Sequence, residues 1–345
     1  MKRHSIKFIA VFALAIIFVL AACNKGKDKT IKTVTPADKE AAFALEPASK
    51  RAIHIGYSGG LCQAAVPIAQ HKGFFAAEGL QTELTRSEDA RDALAGGKID
   101  TSAGMIAGWL KPVTNGIDIR FTVGLHTGCT SAFVLAKSDS NGFKKGQTVA
   151  ISGGIGGVYH NQGYRFIAHD GFVPEDFKWR DFPADQTLLV LQNGQADIAV
   201  IGDQLAEKWV MDGTLRRVRS LHEDPDFKDE ACCVMGIAGP FLDQNPVTSE
   251  KISRAVYKAS KWIDASDENK RETAKILLEN SYISGTEEYA YQLLKMFRFG
   301  LPNDVTEKSL FDSVDDYQAL GVLSKDLKAE DVKKQIWQPL DIEGI

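Results

Sequence analysis

Apolar residues run unbroken over positions 8–22, behind the cations Lys2, Arg3 and Lys7. The run is shorter than the roughly 20 residues a membrane-spanning helix needs, and it has the layout of an export signal over residues 1–22. Residues 23–50 are rich in Lys, Thr, Ala, Asp and Glu and lack a sustained apolar period, which predicts a flexible tether. Regular structure is expected from Arg51. Residues 52–57 read as a strand, Ser58-Gly59-Gly60 as a turn, and 63–78 as a helix with Val66, Ile68, Ala69, Phe74 and Phe75 on its apolar side.

The alternation continues with a strand at 81–85 and a short helix from Ser87 to Ala95, ended by Gly96-Gly97. Further strands are expected at 119–123, 132–136, 148–151 and 198–201. Strands alternating with helices imply parallel sheets covered by helices. After Val247 the texture changes: Ile252, Ala255, Val256, Ala259 and Ile263 recur at helical spacing within 249–265. Three more amphipathic helices are expected near 267–280, 285–297 and 306–321.

Charge narrows the choice of partners. The formal net charge is -4, and it becomes more negative without Lys2, Arg3 and Lys7. A mildly acidic chain lacks the clustered Lys and Arg that phosphate backbones require, so no nucleic-acid partner is expected. At roughly 150 residues per domain, the length predicts two lobes.

The apolar run ends in Leu20-Ala21-Ala22-Cys23, which resembles the lipobox of bacterial lipoproteins. That resemblance implies cleavage before Cys23, acylation of its thiol, and a lipid anchor on the extracytoplasmic face of the cell membrane.

IGYSGGLCQAAVPIAQHKGFFAAEG at 55–79 resembles the opening of the nitrate/sulfonate/taurine (SsuA-like), NMT1/THI5-like class of periplasmic-binding proteins. LAGGKIDTSAG at 94–104, ISGGIGGVYH at 151–160 and LQNGQADIAVIGDQLAE at 191–207 resemble later landmarks of that class, in its order. CCVMGIAGPFLDQNPVTSEKISRAVYKASKWI at 232–263 resembles its returning strand and long helix. The class implies an α/β fold of the type II periplasmic-binding-protein kind: two α/β lobes joined by two crossover strands, a ligand cleft between them, and a helical C-terminal tail. Lobe 1 would hold 51–134 plus 235–345 and lobe 2 would hold 135–234, with crossovers near 132–140 and 231–237. Its implied work is capture of a small solute for the permease and ATPase subunits of an ABC importer, as a monomer and without a cofactor.

Parallel sheets bind ligands at the carboxyl ends of their strands. The loops there nominate Gly59, Gly60, Cys62, Gln63, Ser102, Met105, Cys129, Thr130, Gly154, Gly156, Gly157, Asp203, Cys232 and Cys233 as ligand-binding residues. The glycine loop at 153–157 precedes a helix and offers free N–H groups to an anion, or simply makes a tight turn. Asp203 is expected either to touch ligand or to cap the helix after it.

Cys62, Cys129, Cys232 and Cys233 all fall on cleft-lining segments of the resembled architecture. A disulfide such as Cys62–Cys129, small buried thiols, or soft-ligand recognition each account for them. In the last reading at least three of Cys62, Cys129, Cys232 and Cys233 converge on a thiophilic species such as cuprous ion, zinc or a trivalent arsenical, and His126 either contributes or, as a lone loop histidine more often is, stays solvated. An exported metal- or metalloid-binding thiol protein is therefore the alternative function. His71, His160 and His169 sit in helical segments at no metal-ligand spacing. The THI5-like pyrimidine synthases carry a cysteine-rich motif where Cys232-Cys233 stands, but Gln63 and Gly104 replace the histidine and lysine that do their chemistry. An enzyme is not expected.

Overall fold

The computed structural model describes residues 35–87 and 89–343; the expected export signal and Cys23 lie outside them. Among the described residues no helix is long and apolar enough to cross a membrane. The chain falls into a leading stretch through Lys39 and a body from Glu40 onward. At the end of the first, Thr35 and Asp38 exchange capping bonds, Thr35 N–H to Asp38 Oδ2 at 3.0 Å and Asp38 N–H to Thr35 Oγ1 at 3.2 Å. They open a helix, Pro36–Phe43, in a region where only tether was expected.

The body is anchored before Arg51. The buried Glu46 carboxylate accepts the N–H groups of Val247 and Thr248, both at 2.7 Å. It thereby caps the 19-residue helix Pro246–Asp264, where free N–H groups and the helix dipole favour an anion. A 3-10 turn, Pro47–Lys50, follows at once.

The described residues of the body form ten strands: β1 (Ile53–Tyr57), β2 (Thr82–Arg86), β3 (Thr101–Met105), β4 (Ile119–Thr127), β5 (Thr130–Leu135), β6 (Thr148–Ile151), β7 (Lys178–Asp181), β8 (Ile198–Gly202), β9 (Leu215–Ser220) and β10 (Ala231–Ala238). They form two five-stranded sheets, ordered β2-β1-β3-β10-β4 and β7-β6-β8-β5-β9. Neither is wholly parallel as expected. β1 runs parallel to β2 and β3, and β6 to β7 and β8; β10 and β5 enter antiparallel to their neighbours. Each odd strand is the first one the chain lays down after changing sheets.

The sheet changes lie earlier than expected. The chain leaves the first sheet at Gly128-Cys129, so β5 belongs to the second sheet, and it returns over 221–230, so β10 belongs wholly to the first. At Gly128 the two passages touch: a Cβ there would stand 2.4 Å from the Leu221 carbonyl carbon and 2.7 Å from the His222 nitrogen. Only glycine lets two backbones come so close.

β3 carries no clear period in the sequence. Gly104 and Gly236 explain why: both lie under Trp109, whose ring would overlap a Cβ at either place. The expected 63–78 helix is divided into Ala65–His71 and Phe74–Ala77, because Gly73 takes a left-handed φ of 76°. The tail is helical as expected, with Ser266 and Thr286 capping Asp267–Glu279 and Glu287–Met296.

Candidate ligand-binding cleft

The carboxyl ends of β1, β3, β6 and β8 open on one cleft of about 1280 Å³ between the two sheets. Of the residues expected to touch a ligand, Gly59, Gly60, Cys62, Gln63, Met105, Cys129, Gly156, Gly157 and Cys233 line it. Residues the strand-end reasoning did not reach also line it: Trp109, Lys111, Tyr159, Lys208, Tyr289 and Phe297. Tyr289 and Phe297 come from the C-terminal helical region, whose amphipathic pattern reports only that one face is buried.

The mouth is bridged. The Leu61 N–H donates to Gln204 Oε1 at 2.9 Å. Tyr289 donates its hydroxyl proton to the Gln204 carbonyl at 2.8 Å and accepts the Lys208 N–H at 3.2 Å. Gln204 and Lys208 stand on the helix Asp203–Met211, so these bonds tie the second sheet's layer to the first's.

Ser102, Thr130, Gly154, Asp203 and Cys232 do not line the cleft. Ser102 is fully buried and donates to the Gly56 carbonyl at 2.8 Å, bracing β3 against β1. Thr130 is buried inside the second sheet, opposite Gly202. The Gly154 N–H, offered to an anion in the sequence reading, already donates to Asp181 Oδ1 at 3.0 Å. The Gly156 N–H donates to His160 Nδ1 at 3.2 Å, and burial holds His160 neutral by lowering its pKa to about 4. The glycine loop therefore spends two of its donors internally.

Asp203 neither caps its helix nor faces the cleft. Its carboxylate is fully buried and accepts Ser131 Oγ at 2.8 Å and Arg217 Nε at 3.1 Å. Arg217 also meets Glu207.

The four cysteines meet at the junction of the sheets, none in a disulfide. Two donor sets share Cys233: the sulfurs of Cys129, Cys232 and Cys233, and those of Cys62 and Cys233 with a ring nitrogen of His126, all mutually within 4.8 Å in each set. Neighbours on a regular strand point to opposite faces. Cys232 and Cys233 escape that rule through a bulge. Ala231 pairs with Thr127 and Cys233 with His126, so Cys232 is an extra residue against β4. Cys232 also lines a small pocket with Leu221 and Tyr317, while Cys129 and Cys233 line the cleft.

His126 is fully buried, not solvated as a loop histidine would be. Its ring lies 4.9 Å from that of Phe297 and 5.5 Å from that of Phe299. Nδ1 donates to the Thr127 carbonyl at 2.6 Å, since a carbonyl can only accept, and in the neutral ring the lone pair then lies on Nε2. Nε2 is buried with no well-formed hydrogen bond, beside Cys62. Hydrogen bonds from Cys129 and Cys233 hold Cys62 well below the ordinary thiol range, against burial. Donation to Cys232 pushes Cys129 up.

Residues 46–278 match the profile of the NMT1-like family. The chain belongs to that family. No curated protein matches it in sequence. Solved structures show the fold of the NMT1-like chain to be that of periplasmic binding proteins. The nitrate-binding protein NrtA from Synechocystis PCC 6803 superposes with a TM-score of 0.68 at 17% identity, over 83% of this chain and 86% of that one. The alkanesulfonate-binding protein SsuA from Xanthomonas axonopodis pv. citri, bound to MOPS, gives 0.66 at 17%, over 85% and 99%. The ligand-binding component of an ABC-type import system from Staphylococcus aureus, with zinc bound, gives 0.66 at 14%, over 85% and 98%.

At the two positions where THI5-like synthases are expected to carry chemistry, the NMT1-like chain is built otherwise. Gln63 Oε1 accepts the Ser58 N–H at 2.7 Å while its Nε2 donates to Ser58 Oγ and the Ala103 carbonyl, fastening the first loop. Gly104 lies 2.0 Å, at a notional Cβ, from the Trp109 ring, so no lysine fits there with Trp109 in place.

Proposed function

We propose that this protein is the solute-capturing component of an ABC importer, held at the extracytoplasmic face of the cell membrane by lipid on Cys23. It works as a monomer, catalyses no reaction, and hands its solute to the permease and ATPase subunits. The observation that carries this reading is the cleft: strand ends of two sheets face it, and Gln204 and Tyr289 bridge its mouth. Lys111 and Lys208 on its wall favour a solute bearing negative charge. The two sheets form its lobes, which close by rotation at the two passages.

A ligand bound only by the folded state stabilises it by about 2.7 kcal/mol at a hundredfold excess over Kd. Thermal denaturation against nitrate, alkanesulfonates, pyrimidines, oxyanions and soft cations is expected to show a rise of the midpoint in one class. Indifference to every class removes the receptor reading.

The anchor has its own test. Cys23→Ala, expressed in a bacterial host, is expected to leave unprocessed or soluble protein on fractionation. Undiminished membrane retention removes the lipid from the proposal.

A further inference from the structure

The geometry points to a site for a soft, thiophilic metal or metalloid centre at the junction of the sheets, formed by Cys62, Cys129, Cys232, Cys233 and His126. It deepens the receptor reading above by naming the class of cargo, a soft centre whose remaining ligands carry the negative charge that Lys111 and Lys208 favour, and rests on that reading only for the word cargo.

Three observations converge. The first is the donor set. Two trios share Cys233 and bring four sulfurs and one imidazole together, with every donor pair inside a trio within 4.8 Å. Bonds of about 2.3 Å from sulfur to a tetrahedral or trigonal centre place ligand sulfurs roughly 3.8–4.0 Å apart. The sets need small adjustments to reach that spacing; the largest is between Cys129 and Cys232, whose sulfurs stand 2.8 Å apart.

The second is the histidine. Its Nδ1 is committed to a backbone carbonyl, and its Nε2 is buried without a well-formed hydrogen bond. A metal-binding imidazole is held by that kind of outer bond. A histidine serving only to pack between Phe297 and Phe299 gains nothing from an unsatisfied nitrogen among thiols, since an unsatisfied buried polar atom costs stability.

The third is access. Cys62, Cys129 and Cys233 line the cleft, so the cluster is the floor of an open chamber and not a sealed knot in the core. Carboxylates are missing from both trios. Hard cations such as Mg²⁺ and Ca²⁺ require oxygen ligands, whereas thiolates select soft ones.

The test uses the processed chain, reduced and handled without oxygen, with Cd²⁺ and arsenite as probes and Mg²⁺ as control. Cd²⁺ is expected to bind one to one with a sulfur-to-metal charge-transfer band, and Mg²⁺ to produce none. Arsenite is expected to remove three titratable thiols per molecule bound: each S–H gives its proton to an As–OH, which leaves as water while an As–S bond forms. Cys233→Ser breaks both trios and is expected to weaken Cd²⁺ by about a hundredfold. His126→Phe keeps the ring packing and removes the nitrogen; it is expected to weaken Cd²⁺ and leave three-thiol arsenite capture intact. Circular dichroism on each variant establishes that the fold is retained. If Cys233→Ser fails to fold, the His126→Phe comparison and the thiol count on the unmutated chain still decide.

Binding of Cd²⁺ no tighter than Mg²⁺, or a Cys233→Ser variant that binds Cd²⁺ as well as its parent, overturns the proposal. So does a thiol count showing a stable disulfide that survives mild reduction. A midpoint raised by sulfonates or nitrate, with no response to either soft probe, overturns the soft site and leaves the receptor. Tight soft-probe binding without any effect on cleft closure in solution scattering keeps the site and removes the receptor.

Discussion

Replacing Arg217 by methionine is expected to lower stability by about 3–5 kcal/mol, the cost of stranding a buried charge. Asp203 is fully buried and its carboxylate meets one cation at hydrogen-bond distance, Arg217 at 3.1 Å; His222 Nδ1 stands farther off, at 3.6 Å. Methionine fills the stem's space over Phe133 but leaves the Asp203 carboxylate with the Ser131 hydroxyl as its hydrogen bond and no cation nearer than His222 at 3.6 Å. The double variant Arg217→Met, Asp203→Asn is expected to recover more than half of the loss, because a neutral amide keeps the Ser131 bond and needs no cation. Urea denaturation of the three proteins measures this. If the double variant is as unstable as the single one, the loss comes from packing and the ion pair is incidental.

The second large effect is expected at Gly128. An alanine Cβ there meets backbone atoms of Leu221 and His222 at 2.4–2.7 Å, and a backbone in contact cannot turn aside as a side chain can. Overpacking of this kind costs about 1–3 kcal/mol. Here it also wedges the two passages apart, so the Gly128→Ala protein is expected to hold a more open mouth, read as a larger radius of gyration in solution scattering. A variant with the parent's urea midpoint and the parent's radius shows that the passages separate freely, and that their closeness has no mechanical role.

Much of this architecture was legible in the chain. Apolar and alternating runs located β1, β2, β6 and β8 to within a residue or two; β8 reads as a continuous apolar segment, while β2 is a largely exposed edge strand bounded by turns. β3 was missed since its residues are Thr, Ser, Ala, Gly and Met, small so that Trp109 can lie over the sheet. Strand direction at β10 and β5 depends on where the chain changes sheets, which no local pattern encodes. The cysteines were legible as a group through their family positions, but their convergence on one point depends on a bulge of one residue. Asp203 was misread because a carboxylate at a strand end looks alike whether it faces a cleft or an arginine from the next strand. His126 was misread because its burial is imposed by Phe297 and Phe299, more than 150 positions later in the chain.

The contact between the two passages at Gly128 also sets a lever. When one body rotates against another, points on the axis scarcely move and points far from it sweep the widest arcs. Cys129 adjoins the place where the passages touch, and Cys232 and Cys233 follow directly on the second passage; Gln204 and Tyr289 stand at the mouth. Rotation therefore breaks the Gln204 and Tyr289 bonds early while the distances among the sulfurs change least. If the proposed receptor holds its cargo on these sulfurs, opening the jaws is a poor way to let go of it, and delivery calls for competing donors that take the cargo over one bond at a time.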